Sequence, residues 1–291
     1  MSEAIALSAG DATLRVHERG AEATSWRVAG RELLWPGGDA WARSSPVLFP
    51  IVGWARNGHI RVDGRSYPIG VHGFASSETF AVAERDGAGV VFTLCDSPST
   101  RSRYPFAFRL EVSYRLAPRE VAIGFSVTNT GDAAMPFAIG LHPGFLWPFA
   151  AAGPQRHAIL FEREEAGSVP VIDENGLFTE ASRPIALDGR RLPLSHELLA
   201  REALCFLNAN SRSLRFVSPT GEAIAVEMDD FPHVALWSRP PAPFLCVECW
   251  TGHGDPRDFG GELADKPSMR KLAPGGVSRH AIRWRFEERA A

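Results

Sequence analysis

No stretch of this chain stays apolar for anything near the ~20 residues that a membrane span needs. The first residues, Met1-Ser2-Glu3-Ala4-Ile5-Ala6-Leu7, have neither a basic start nor a long apolar run. A secretory leader and a transmembrane helix are therefore not expected, and the chain reads as cytoplasmic. Cysteine is scarce as well. Cys95, Cys205, Cys246 and Cys249 make no disulfide framework, and the Cys246-x-x-Cys249 pair has no second pair to complete a zinc site. On a strand, positions three apart face opposite sides, so these two thiols are expected not to meet. Neither sign of charge dominates: 31 basic residues stand against 34 acidic ones. That balance provides no basic surface for nucleic acid and no polybasic membrane anchor.

Helix is hard to find. Ser195 to Leu204 is the best candidate, with Ser195 as N-cap and Glu197 in its first turn. Period-two alternation is everywhere instead. Leu110 to Leu116, Val121 to Thr128, Ala223 to Met228 and Ile282 to Glu287 each suit a strand with one face buried and one wet. Asn57-Gly58, Asp63-Gly64, Asn175-Gly176 and Asp188-Gly189 mark turns between such runs. There are 27 glycines and 22 prolines, and no internal repeat, low-complexity tract or linker. A large antiparallel β-sandwich or barrel forming one domain over residues 1–291 is the expectation.

Eight tryptophans are present, at 26, 35, 41, 54, 147, 237, 250 and 284. An indole offers a rigid apolar face with a polar edge, which suits the C–H face of a sugar ring. Most are expected to fill the core, as Trp284 does by its pattern, with one or two left to line a site. Three segments place a titratable residue inside an apolar stretch shaped by glycine or proline: Gly70 to Ala75 around His72, Gly140 to Phe145 around His142, and Leu245 to Gly252 around Glu248. Pro143 biases His142 toward extended backbone. Cys246, Glu248 and Trp250 share one strand face, an unusual place for a solvated carboxylate. Each residue alone fits a structural role: a hydrogen-bonded turn or core histidine, or a glutamate paired with a core arginine. Two histidines and a carboxylate in such settings together point to a site. His253 and Asp255 lie close on a glycine-rich segment, but two ligands make a poor metal site, and no metal is expected.

Read in order, several motifs resemble the aldose 1-epimerase (galactose mutarotase-like) family. They are Ser44-Ser45-Pro46-Val47-Leu48-Phe49-Pro50-Ile51-Val52-Gly53, Asp63-Gly64-Arg65-Ser66-Tyr67-Pro68, His72-Gly73-Phe74-Ala75, Tyr104-Pro105-Phe106, Asn129-Thr130-Gly131, Met135-Pro136-Phe137 with Gly140 to Phe145, Phe231-Pro232 with Leu236-Trp237, Glu248-Cys249-Trp250-Thr251-Gly252 and Leu272-Ala273-Pro274-Gly275. The resemblance spans nearly the whole chain and is strongest to the branch with uncharacterised and hexose-phosphate-type relatives. It implies an antiparallel β-sandwich with a sugar in an open cleft and no metal or organic cofactor. It places the family's two active-site histidines on His72 and His142, its glutamate on Glu248, and its acidic sugar-binding residue, before an Ala-Leu pair, on Glu202. Two positions depart. Cys249 stands where the family has proline. Trp54 stands where many members have arginine, which leaves Arg43 or Arg56 to take that part.

The activity so implied is interconversion of the α and β anomers of a free aldose or a hexose phosphate, an isomerase reaction on a small-molecule sugar. Ring opening needs a base for the anomeric hydroxyl and an acid for the ring oxygen. Glu248 is the expected base, His142 the acid, His72 a group that holds or polarises the sugar, and Trp250 a stacking surface. A sugar-binding β-sandwich without catalysis is the alternative. A glycoside hydrolase would need a second carboxylate. Asp229, Asp230 and Asp255 are available for that, though none lies in a comparable motif.

Overall fold

The computed structural model describes residues 4–150 and 156–288. Met1 to Glu3, at the start of the segment read for a leader, lie outside that range. Its two principal layers are antiparallel sheets. The larger has nine strands in the spatial order Arg191–Pro193, Ala158–Phe161, Ser213–Val217, Ala223–Asp229, Val277–Glu287, Glu120–Asn129, Phe108–Ala117, Gly89–Cys95 and Ala81–Arg85. The smaller is built around Phe244–Trp250, with His233–Trp237 and Leu204–Phe206 on one side. Gly140–Leu141, Val47–Leu48 and Gly144–Leu146 lie on the other. A four-stranded sheet formed by Ile5–Ala9, Ala12–His17, Glu22–Val28 and Arg31–Glu32 adds to these.

The alternating runs became strands for the reason their pattern suggests. Glu120–Asn129 and Phe108–Ala117 are both strictly alternate in burial along their length. Their inward residues, among them Leu110, Val112, Val121 and Ile123, join Val234, Leu236, Leu245 and Val247 of the smaller sheet in one continuous apolar cluster. This arrangement is the expected β-sandwich. Asp63-Gly64 closes the hairpin of His59–Val62 with Arg65–Pro68, and Asn175-Gly176 lies in the connection between Ser168–Ile172 and Phe178–Pro184.

The helix at Ser195 is real but shorter than its pattern suggests. Ser195 Oγ accepts the Leu198 N–H at 3.1 Å, the helix covers His196–Leu199, and a strand begins at Leu204. Tertiary pairing of Leu204–Phe206 with His233–Trp237 overrides the local helical preference. Pro98–Arg101, capped by Ser97, was not anticipated as a helix.

Phe244–Trp250 is buried at every position. Leu245, Val247 and Cys249 face the central cluster, whereas Cys246 packs with Phe244 and Trp41 on the opposite side. The two thiols of the Cys-x-x-Cys pair are free and point apart, as strand geometry requires. Among the described residues no helix is long and apolar enough to cross a membrane.

Candidate active site

The outer face of the smaller sheet is the floor of a cleft of about 1430 Å³. On that floor His142 and Glu248 meet through strand register. Gly140 opposes Trp250 and Leu141 opposes Cys249; past the proline, Gly144 opposes Cys246. The register is unbroken, so His142 falls opposite Glu248. Pro143 has no N–H for the ladder, but its carbonyl accepts the Val247 N–H at 3.1 Å, while the His142 N–H turns outward to Pro46 O at 3.1 Å. His142 Nε2 lies 3.2 Å from Glu248 Oε1. The Trp250 indole N–H donates to Glu248 Oε2 at 3.0 Å.

The arginine that a structural role for Glu248 would require is therefore not its partner: a histidine and an indole are. Trp250 is itself buried, and its polar edge is committed to the carboxylate. Around His142 stand three rings: Trp41 tilted at 5.0 Å, Trp237 edge-on at 5.6 Å and His72 edge-on at 5.5 Å. In this enclosure charge is poorly solvated. Burial raises the Glu248 carboxyl well above its ordinary value and lowers the His142 imidazole well below its own.

His72 arrives on a tight turn, closed by the Gly73 N–H donating to Gly70 O at 3.0 Å. It has φ 61°, uncommon for a residue with a side chain and therefore over-determined by its surroundings. Its backbone N–H donates to Gly53 O at 2.9 Å, and its ring Nδ1 accepts the Gly53 N–H at 3.0 Å. That last bond fixes the tautomer: Nδ1 is bare, so the neutral ring carries its proton on Nε2. Gly73 is required behind it, because a Cβ there would lie 2.2 Å from Phe49 O. Burial, and then the charge of Lys266, lower the His72 imidazole to about 4.

The structure thus gathers His72, His142, Glu248 and Trp250 at the floor. Arg43, Arg56 and Glu202 line the same cleft, and Arg43 and Glu202 are tied into ion pairs there. Arg43 donates to Glu22 at 3.0 Å and to Ser76 Oγ at 3.3 Å. Glu202 is paired with Arg183, with Arg201 at 3.9 Å. Arg56 donates from its backbone to Asp255 at 2.8 Å, while its exposed guanidinium reaches Phe259 O at 3.4 Å.

More tryptophan reaches the cleft than composition suggested: Trp41, Trp54, Trp237 and Trp250 all line it, while Trp26, Trp147 and Trp284 are buried in the core. Nothing local in the sequence distinguishes Trp41 or Trp237 from a core residue. The wall from Ile172 to Phe178, with Arg257 and Asp258, was legible only as a turn at Asn175-Gly176. Of the further carboxylates weighed for hydrolysis, Asp230 pairs with Arg270 and His280, and Asp255 with Lys266.

Asp255 and Lys266 form an ion pair at 2.9 Å, both almost fully buried. Asp255 also receives the Arg56 N–H and donates its own N–H to Trp54 O at 2.9 Å, so it anchors the Trp54–Arg56 wall. Asp255→Ala leaves an uncompensated buried ammonium. It is expected to cost about 3–5 kcal/mol in denaturant unfolding; a loss under about 1 kcal/mol would show that the pair is not a structural anchor.

A second expectation concerns acid stability. His72 and His233 are lowered to about 4, and His142, His253 and His280 are lowered too, each chiefly by burial. Unfolded imidazoles bind protons near 6.5. The unfolded chain therefore takes up more protons between about 6.5 and 4, and stability falls as pH drops through that window. Glu248, raised by burial, works in the opposite sense but is outnumbered. Melting temperature should decrease steadily from pH 7 to pH 4, and a flat profile would contradict these shifts.

The sequence profile of the aldose 1-epimerase family matches residues 3–255. The chain is 31% identical over 262 residues to the chromosomal Protein LacX of Lactococcus lactis subsp. lactis, covering 86% of this chain and 88% of that one. Among solved structures, it superposes on a galactose mutarotase-like protein from Lactobacillus casei with TM-score 0.91 and 26% identity, over 98% of this chain and 100% of that one. A galactose mutarotase related enzyme from Lactobacillus acidophilus gives TM-score 0.90 and 28% identity, over 98% of each chain. The chain belongs to the aldose 1-epimerase family and has the galactose mutarotase-like fold.

Proposed function

We propose that this protein is an aldose 1-epimerase that interconverts the anomers of an unphosphorylated aldose in this cleft. The observation that carries the reading is the buried His142–Glu248 pair, 3.2 Å apart at the cleft floor. Ionised Glu248 takes the proton of the anomeric hydroxyl as the C1–ring oxygen bond breaks, and protonated His142 gives its proton to the ring oxygen. The products are the open-chain aldehyde, a neutral carboxylic acid and a neutral imidazole. Rotation about C1–C2 and the reverse transfers close the ring on its other face, with no net change in protons.

Burial supports this direction. It disfavours the ionised pair, making Glu248 a stronger base and His142 a stronger acid toward the sugar. His72, neutral and protonated on Nε2, donates a hydrogen bond to a sugar oxygen without competing for the transferred proton. Trp250 holds the carboxylate through Oε2, leaving Oε1 with His142.

The charge lining the cleft favours a sugar without phosphate. Arg43 is engaged by Glu22, Arg257 by Asp173 at 3.1 Å, and Arg201 lies 3.9 Å from Glu202. The guanidinium of Arg56 is held only by the Phe259 carbonyl at 3.4 Å, which leaves one cation open rather than a set. A phosphate needs a set of free guanidinium donors. Polarimetry of the purified protein with freshly dissolved α-anomers tests both points: rotation should relax faster than in the spontaneous reaction, with kcat/KM higher for free hexoses than for their 6-phosphates. Sugar binding without acceleration would make the protein a carbohydrate-binding member of the family instead. Activity should survive exhaustive chelation, and its recovery on adding back one metal would refute the acid–base scheme. Among the described residues no three His, Cys, Asp or Glu side chains gather to hold a metal.

A further inference from the structure

Trp54 is the large hydrophobic residue with the most solvent exposure among those described, at 48%. Leaving half an indole in water forgoes apolar burial that a core position would provide. This indole is nevertheless held in place. Its five-membered ring packs on Gly176, where a Cβ would lie 1.9 Å from Trp54 Cδ1. Its carbonyl accepts the Asp255 N–H, and Asp255 is fixed by the buried Lys266. It is a rigid platform, and it lines the cleft together with the half-open Val71.

Its place is set by the catalytic floor. Trp54 follows Gly53, whose N–H donates to His72 Nδ1. Adjacent Cα atoms are about 3.8 Å apart, so the platform begins within a residue of the group beside His142 and Glu248. The cleft, at about 1430 Å³, also exceeds the roughly 300–1,000 Å³ typical of a small-ligand pocket. Its wall near Trp54 is polar and of mixed charge, with Asp173, Glu174, Asn175 and Asp258 beside Arg56 and the Asp173-paired Arg257. A held indole, hydrogen-bonding neighbours and no free set of cations suit a neutral polyhydroxylated ring.

We propose that Trp54 forms a second sugar-ring subsite and that the preferred substrate is an uncharged reducing disaccharide. Its reducing ring lies on His142 and Glu248 and its non-reducing ring stacks on Trp54. The assignment of the reducing ring rests on the epimerase reading, because only that ring has a free anomeric hydroxyl. The stacked ring takes no part in the proton transfers and contributes binding alone.

Calorimetric titration of wild type and Trp54→Ala with glucose, galactose, maltose, cellobiose and lactose tests the subsite without requiring turnover. At least one disaccharide should bind wild type about tenfold more tightly than either monosaccharide, the upper end of what one aromatic contact supplies. Trp54→Ala should remove that advantage, leave monosaccharide affinity within about twofold and keep the melting temperature, and Trp54→Phe should restore part of the gain. Equal affinity for all five sugars, or equal losses for one-ring and two-ring sugars in Trp54→Ala, overturns the subsite. Polarimetry of the same proteins separates the two readings. Trp54-dependent disaccharide binding with no acceleration leaves the subsite standing and removes the epimerase. Acceleration of monosaccharides with no disaccharide preference does the reverse.

Discussion

Glu248→Gln should lower the rate of mutarotation by about two to four orders of magnitude, the usual range for a general base, while fold and sugar affinity stay near wild type. The amide keeps the shape of the carboxylate. Its oxygen can still accept the Trp250 N–H, and its NH₂ can face His142 Nε2, now an acceptor. What it cannot do is take a proton from the anomeric hydroxyl. Its partners are the His142 imidazole, lowered by burial, and the Trp250 indole, so the substitution uncovers no unpaired charge, and the melting temperature should hold. A structural glutamate would behave the other way, with a lowered melting point and a proportionate loss of everything else. A stable Glu248→Gln protein that turns over sugar at the wild-type rate would remove Glu248 from the mechanism.

His142→Asn is the complementary experiment. Asparagine retains polarity and much of the volume between Trp41, Trp237 and His72, but it has no proton to give the ring oxygen. Turnover should fall by about 10²–10⁴-fold, with KM or calorimetric affinity changed by only a few-fold. Equal losses in kcat and in binding would make His142 a binding residue. The pH profile offers a check on the pair itself. Burial places the Glu248 carboxyl high and the His142 imidazole low, so across the interval between their titrations the pair holds one proton. The ionised arrangement that the proposed mechanism uses is one proton transfer across 3.2 Å from the neutral one. The dependence of kcat/KM on pH should be a bell whose limbs belong to the pair rather than to either residue. Its acid limb should lie below the ordinary imidazole value and its alkaline limb above the ordinary carboxylate value. Each single variant should lose one limb, and a single step near 6.5 in the wild type would contradict a shared proton.

The strand-rich architecture is readable from the chain alone, because the period of a half-buried strand is local: Glu120–Asn129 declares its two faces in ten residues. So is the turn at Asp63-Gly64, since a positive φ at two successive positions restricts the residues that serve there. His72, His142 and Glu248 are marked by their own motifs, each of which is local.

Who touches whom was decided only by the tertiary structure. His142 and Glu248 are 106 positions apart, and they meet because a ladder keeps its register across Pro143, which no local pattern encodes. The same holds for the Trp41 and Trp237 rings around His142. It holds too for the ion pairs that hold Arg43 to Glu22 and Glu202 to Arg183, and for the burial that moves the two pKa values apart. Residue type sets which proton transfers are chemically open to a side chain. The dielectric around it and the partner at hydrogen-bond distance set which of them it performs, and both arise from segments far apart in the chain.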